Sequence, residues 1–390
     1  MALDVLQTPF VKLDTTSTKT ATETSPTLTF SLITPHDNDI RPVYLTGNFN
    51  NWNPEDNRYR MKRVSKGHFE LTFSKAARLP APLEFKFTRG GWENQELDRY
   101  GNATLNHCIE CPTAVKKGIV ETKVWRWKSY GLHFDPHFLP SIQLISKAFY
   151  IPQLAKTRRI QVLLPFDYAQ NPQKRYPVLY LQDGQNLFGE ATPFGSWRID
   201  RTLAILAERG LGDLIVVAID HGDEERATEF MSVTHKRSNA EGKKYLQFLA
   251  HALKPQIDAK FRTLAGREHT GIGGSSLGGL ITIHAGLLFP DTFGRLMVFS
   301  PSLWVGTHAI FEQIHFLRLL PTKIYVYAGG RESKTMLPNV AHFREAIEQQ
   351  GFGGTTIDFK LSIDPKGLHN EKRWGEEFPK AIEWLFFQGY

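Results

Sequence analysis

The chain has two cysteines in 390 residues, no long apolar run and a net charge of only +7, and each scarcity excludes a class of protein. Cys108 and Cys111 form one Cys-x-x-Cys after His107. A structural zinc site needs four ligands, and no second cysteine pair exists to supply them. A thioredoxin-type pair opens a helix in a βαβ unit, whereas this one precedes Pro112 near a domain edge. No metal and no cofactor is expected. A bilayer span needs about 18 or more consecutive apolar residues, and none occur, so no membrane partner is expected. The small basic excess is scattered and has no aromatic interleaving, which reads as solvated surface and not a nucleic-acid face. Residues 1–26 are rich in Thr and Ser and lack an apolar stretch behind a basic start. They read as a flexible tail and not a secretory signal, and a cytoplasmic location is the expectation.

The length suggests two domains. From Leu28 onward short alternating runs appear: 28–33, 42–47, 68–73, 83–88 and 120–127, separated by Asn, Gly, Pro and Asp clusters. Such spacing predicts a small all-β, immunoglobulin-like sandwich over residues 27–127. Residues 129–390 open with two alternating runs, 141–150 and 159–165, which read as an antiparallel pair at a sheet edge. Apolar strands are then predicted at 176–181, 214–220, 270–274, 294–300, 323–329 and 356–361. Helices are predicted over 197–211, 242–261, 280–288, 338–350 and 374–387. Strands alternating with helices predict a mostly parallel sheet covered on both faces.

One stretch of this second domain carries chemistry. Gly274-x-Ser276-x-Gly278 has the spacing of a nucleophile elbow, in which a serine sits on a strained turn between a strand and a helix. The frame selects Ser276, because Ser275 would need a glycine where Leu277 stands. In an α/β-hydrolase architecture the partners follow in the order serine, acid, histidine. A serine hydroxyl needs a histidine to take its proton and a carboxylate to orient the imidazole. His369 lies between the last predicted strand and the terminal helix, where the base belongs. Glu332 follows the strand 323–329 and is the first candidate acid; Asp364, closer to His369 in sequence, is the second. The oxyanion hole is expected from the amide of Leu277 and from that of Gln185 in the loop 182–188, with Asp183 and Asn186 bracing the loop.

In the first domain, Trp52, Lys86 and Trp92 sit in polar surroundings that suit a sugar ring better than a core. The segments Gly47-Asn-Phe-Asn-Asn-Trp52, Phe85-Lys-Phe87 and Gly91-Trp-Glu93 resemble those of the starch- and glycogen-binding modules. The resemblance implies one α-glucan site made by Trp52, Lys86, Trp92 and Asn102. A related sandwich that has lost sugar binding is the other reading. The second domain resembles the esterase D/enterochelin-esterase type of α/β-hydrolase. The markers are Tyr180-Leu-Gln-Asp-Gly-Gln-Asn-Leu-Phe188, Arg226-x-x-Glu-Phe230, Gly274-Ser-Ser-Leu-Gly-Gly279, Ser300-Pro-Ser-Leu-Trp304, Gly329-Gly-Arg-Glu332 and His369-x-Glu-x-x-Trp374. This likeness implies carboxylic-ester hydrolysis through an acyl-serine, without a metal, on substrates ranging from acylated sugars to siderophore lactones. Asp183, Arg226 and Glu229 would line or brace the pocket and Trp304 would stand near the acyl or alcohol site. The family varies at the acid, so Glu332 and Asp364 both stay open. Two other functions remain open: a glucan-binding scaffold with an inactive hydrolase domain, and an acyltransferase on the same fold.

Overall fold

The computed structural model describes residues 26–34, 40–128, 134–189, 194–231, 239–305, 320–349 and 357–387. The tail expected over 1–26 lies outside these, save Pro26. The chain divides into two units, one comprising residues up to Glu96 with Leu105–Trp127, the other Leu97–Thr104 with Lys128 onward.

The first nine strands are Leu28–Ile33 (β1), Tyr44–Gly47 (β2), Lys62–Ser65 (β3), His68–Phe73 (β4), Leu83–Thr88 (β5), Glu96–Leu97 (β6), His107–Ile109 (β7), Ile119–Lys123 (β8) and Arg126–Trp127 (β9). They include a four-stranded sheet, β3-β4-β1-β8, and a three-stranded one, β2-β5-β7. Period-two alternation places Leu28, Phe30 and Leu32 of β1 and Leu83, Phe85 and Phe87 of β5 in one shared apolar cluster. The parallel pairing of β1 with β8, Thr29 opposite Ile119, is a long-range contact that alternation does not encode.

Leu97–Thr104, read above as part of the first domain, lies with the second unit. Arg99 and Tyr100 both bond to the Glu383 carboxylate, and Asn102 Nδ2 donates to the Glu376 carbonyl at 3.3 Å.

The second unit is built on Ser141–Ile151 (β10), Lys156–Leu164 (β11), Val178–Leu181 (β12), Ile215–Ile219 (β13), Thr270–Ser275 (β14), Arg295–Phe299 (β15), Thr322–Gly329 (β16) and Ile357–Asp364 (β17). Their order is β10-β11-β13-β12-β14-β15-β16-β17. β11 runs antiparallel to both β10 and β13, and every pair from β13 to β17 is parallel. The strands are apolar on both sides because both faces are covered. Val178, Tyr180, Ile215 and Val217 face one cluster, and Leu179, Leu181, Val216 and Ala218 face the other. The helices are Ile199–Glu208 (α1), Arg226–Phe230 (α2), Gly242–Phe248 (α3), Lys254–Lys260 (α4), Leu277–Leu288 (α5), Met336–Glu348 (α6) and Glu371–Ile382 (α7). α1 and α7 cover the second cluster through Leu203, Leu206, Trp374 and Phe378. α3 to α6 cover the first through Tyr245, Leu246, Ile257, Ile281, Val340 and Phe343. The helix expected over 242–261 is interrupted by a wide turn, Leu249–Leu253, just before Pro255. Proline cannot donate the backbone bond that a regular helix needs there.

β12 lies between β13 and β14, so strand order reverses at β12. In open parallel sheets the ligand crevice lies at such a reversal, outside the carboxyl ends of the strands. Here the turn after β12 and the elbow after β14 meet. A Cβ on Gly274 would stand 3.0 Å from the Gly278 backbone and 3.1 Å from Gln182 Cγ. Gly274→Ala is therefore expected to lower stability by about 1–3 kcal/mol through overpacking. Thermal unfolding checks this, and an unchanged midpoint would mean that the elbow has room to spare.

Candidate active site

Ser276 closes β14 and caps α5 with φ 58 and ψ −119. Such a conformation is costly for a residue with a side chain and persists only where the surroundings impose it. Here the imposing contacts are two backbone bonds: Ser276 N–H donates to Phe299 O and Ser302 N–H donates to Ser276 O, each at 3.0 Å. The turn lifts the hydroxyl out of the strand, as the elbow spacing predicts.

Leu277 is the first residue of α5, and Gln185 lies in the short helical turn Gly184–Asn186 after β12. N–H groups in a first helical turn have no partner within the helix. The turn after β12 is braced. Asp183 adopts a left-handed conformation, and Arg226 grips both its carboxylate oxygens, at 2.6 and 2.8 Å. The Gln185 side chain exchanges two hydrogen bonds with the backbone of His221, at 3.1 and 3.0 Å. A Cβ on Gly278 would lie 3.2 Å from Asp183 Oδ2, so glycine lets this turn approach the start of α5.

The Glu332 side chain is 1% exposed, and its Oε2 faces His369 Nδ1 at 2.8 Å. Its Oε1 accepts from Gly329 N–H and from Ser300 Oγ, each at 2.7 Å. An ionised carboxylate only accepts, so His369 Nδ1 carries a proton and Nε2 of the neutral ring is the basic nitrogen. Asp364 is engaged elsewhere: Arg373 Nε donates to Oδ2 at 2.7 Å and Lys366 N–H to Oδ1 at 2.9 Å. Partial burial is the largest single influence and works against its charge, yet the hydrogen bonds from Arg373 and Lys366 and the positive charges of Arg373 and Lys380 together outweigh it and hold the carboxyl below its ordinary value. Ser276 Oγ does not rest on the histidine. Among the described residues its hydrogen-bond partner is Ser302 Oγ, at 3.1 Å.

A cleft of about 270 Å³ opens beside His369 and Glu332, walled by Pro301, Trp304, Met336 and Asn339. Trp304 is 60% exposed, as a residue that greets a ligand would be. Glu229 is not among the residues that wall this cleft. Its side chain is fully buried and paired with Arg158 and Lys156, which ties α2 to β11. Sequence reasoning left four residues without a role: Ser300, Ser302, Trp374 and Glu371. Ser300 bonds to Glu332, Ser302 to Ser276, and Trp374 packs edge-on against His369. Glu371 opens α7 within electrostatic reach of Asp183, His369 and Arg226, and burial pushes its carboxyl up. The segments Ser300–Trp304 and His369–Trp374 contained these residues, but their partners are distant in sequence.

In the first unit the rings of Trp52 and Trp92 lie 6.3 Å apart at 41°. Lys86, on β5, is largely buried, and burial lowers its affinity for its proton. Asn102 belongs to the second unit, where its Nδ2 donates to the Glu376 carbonyl. Cys108 and Cys111 are exposed thiols. Among the described residues no group of His, Cys, Asp and Glu is placed to hold a metal, and no helix is long and apolar enough to cross a membrane.

The family described as "Putative esterase" matches residues 151–385. The uncharacterized protein YbbA of Bacillus subtilis is 27% identical over 248 residues, which are 60% of this chain and 94% of YbbA. The ferri-bacillibactin esterase BesA of the same organism is 28% identical over 41% of this chain and 62% of its own length. Among solved structures, the enterobactin esterase FES of Shigella flexneri superposes with a TM-score of 0.51 at 17% identity, covering 92% of each chain, a likeness of fold. With its parallel sheet, its elbow and a family match over most of the second unit, this chain belongs to the putative-esterase family and is an ester hydrolase of α/β-hydrolase-like fold.

Proposed function

We propose that the second unit is a serine carboxylic-ester hydrolase that works through an acyl-serine intermediate. His369 Nε2 takes the Ser276 hydroxyl proton as Oγ attacks the ester carbonyl carbon. The carbonyl π electrons move onto oxygen, which the N–H groups of Leu277 and Gln185 receive. The carbon–alkoxy bond then breaks, and His369 returns the proton to the departing alcohol. Water repeats the sequence on the acyl-serine and releases the carboxylic acid. Glu332 keeps the imidazole in the reactive tautomer and stabilises its charged form. The observation that carries this reading is the 2.8 Å pair of His369 Nδ1 and Glu332, which leaves Nε2 as the base.

The relative BesA points to siderophore esters as the first substrate class to try, with acylated sugars as the second. The test is hydrolysis of p-nitrophenyl acetate, p-nitrophenyl butyrate and a siderophore trilactone by the full chain. Turnover with one carboxylate formed per alcohol released supports the reading; no turnover on any of them contradicts it.

A second activity is favoured by the neighbouring indoles Trp52 and Trp92, tilted at 41° to each other, whose apolar faces suit pyranose rings. On this reading the first unit retains the chain on an α-glucan. Trp52→Ala and Trp92→Ala are expected to weaken retention on insoluble starch by about tenfold each, with ester turnover unchanged. Equal retention of wild type and both variants would remove the glucan site.

A further inference from the structure

Ser300 is fully buried and holds φ 45, a left-handed conformation that its side chain disfavours. Its N–H is anchored on Tyr327 O at 2.8 Å. Its hydroxyl meets two side chains at once: Trp374 Nε1 at 2.8 Å and Glu332 Oε1 at 2.7 Å. An indole nitrogen can only donate. Ser300 Oγ therefore accepts from Trp374, and its single proton goes to Glu332. With Gly329 N–H as the second donor, Oε1 is committed, and Oε2 is left to receive His369 Nδ1–H. The same indole stands edge-on to the His369 imidazole, with ring centres 4.9 Å apart and planes at 83°.

We propose that Ser300 and Trp374 are positioning residues for the acid–base pair. The Trp374 N–H directs the Ser300 proton onto Glu332, and this fixes the carboxylate that selects the His369 tautomer. Trp374 touches the base with its ring and reaches the acid through Ser300. The positive φ at Ser300 fits this role, because the backbone strain aims one hydroxyl between two partners that lie far apart in the sequence. Without Ser300, Oε1 keeps one donor and the carboxylate is free to swivel about its last torsion.

The proposal rests on the esterase reading only for its kinetic half, so the test has two readouts. Titration of the His369 imidazole by NMR is compared in wild type, Ser300→Ala, Glu332→Ala and the double variant of the full chain. The kinetic constants for p-nitrophenyl butyrate are measured beside it. Ser300→Ala is expected to move the His369 titration upward by about half a pH unit, because Glu332 loses a donor that shares its charge. In the Glu332→Ala background it should do nothing. In turnover, Ser300→Ala should lower kcat about tenfold with KM little changed, and cost less than about twofold once Glu332 is gone. Trp374→Phe, which keeps a ring and removes the N–H, should shift the titration in the same direction by less. An unmoved titration in Ser300→Ala, or an equal shift with and without Glu332, overturns the proposal. Loss of all turnover in wild type with the titration behaving as stated would instead count against the esterase reading alone.

Discussion

Ser276→Ala is expected to lower ester turnover by on the order of 10³-fold or more while leaving the protein folded. On the proposed mechanism this hydroxyl forms the covalent intermediate. Ser302 stands 3.1 Å away, but it is 2% exposed and follows Pro301 at the end of β15, with its N–H tied to Ser276 O. It lacks the strained turn that presents Ser276. Removing Oγ also removes one hydrogen bond to Ser302, a cost of about 1 kcal/mol and too little to unfold a unit of this size. The binding cleft and the backbone donors survive, so KM should change far less than kcat. Turnover of p-nitrophenyl butyrate and a thermal melt check both halves. Activity retained in Ser276→Ala would transfer the chemistry to another residue.

The second large effect separates the two candidate acids. Glu332→Gln should cost on the order of 10²–10⁴-fold in kcat, because an amide can present its NH2 to Nδ1 and so favour the wrong tautomer. Asp364→Asn should leave kcat within a few-fold. Its carboxylate serves Arg373 and the turn at Lys366, not His369. Its effect belongs to stability. The folded carboxyl sits below its ordinary value of 3.8, so its contribution is present above about that pH and is lost as pH falls toward the lower folded value. Wild type should thus lose more stability than Asp364→Asn on acidification below pH 4. If Asp364→Asn proves the more damaging variant in kcat, the geometry around His369 differs in the working state.

What the sequence disclosed depended on the range of the forces involved. Strands such as Ile215–Ile219 and helices such as Ile199–Glu208 follow from local periodicity, and their residues fall on the faces that the alternation implies. The elbow was legible because sterics tie Gly274, Ser276 and Gly278 within five residues. Glu332 followed from chain order plus its place after β16. The supports were not legible. Ser302 meets Ser276 across 26 residues and Ser300 meets Glu332 across 32, so no local pattern records them. Glu229 was named through the family resemblance alone, and its pairing with Arg158 and Lys156, about 70 residues away in sequence, has no local pattern to announce it. Asn102 was named by resemblance, and its bond to the Glu376 carbonyl was not foreseen. The short polar segment Leu97–Thr104 has no periodicity to show that its bonds are made with the second unit.

The most direct measurement is active-site labelling of the full chain with a fluorophosphonate, followed by peptide mass spectrometry. The serine oxygen displaces fluoride at phosphorus, forming an oxygen–phosphorus bond that mimics the tetrahedral intermediate. The account predicts one adduct per chain, on Ser276, with parallel loss of ester turnover. An adduct on another residue, or turnover that persists after full labelling of Ser276, would contradict it.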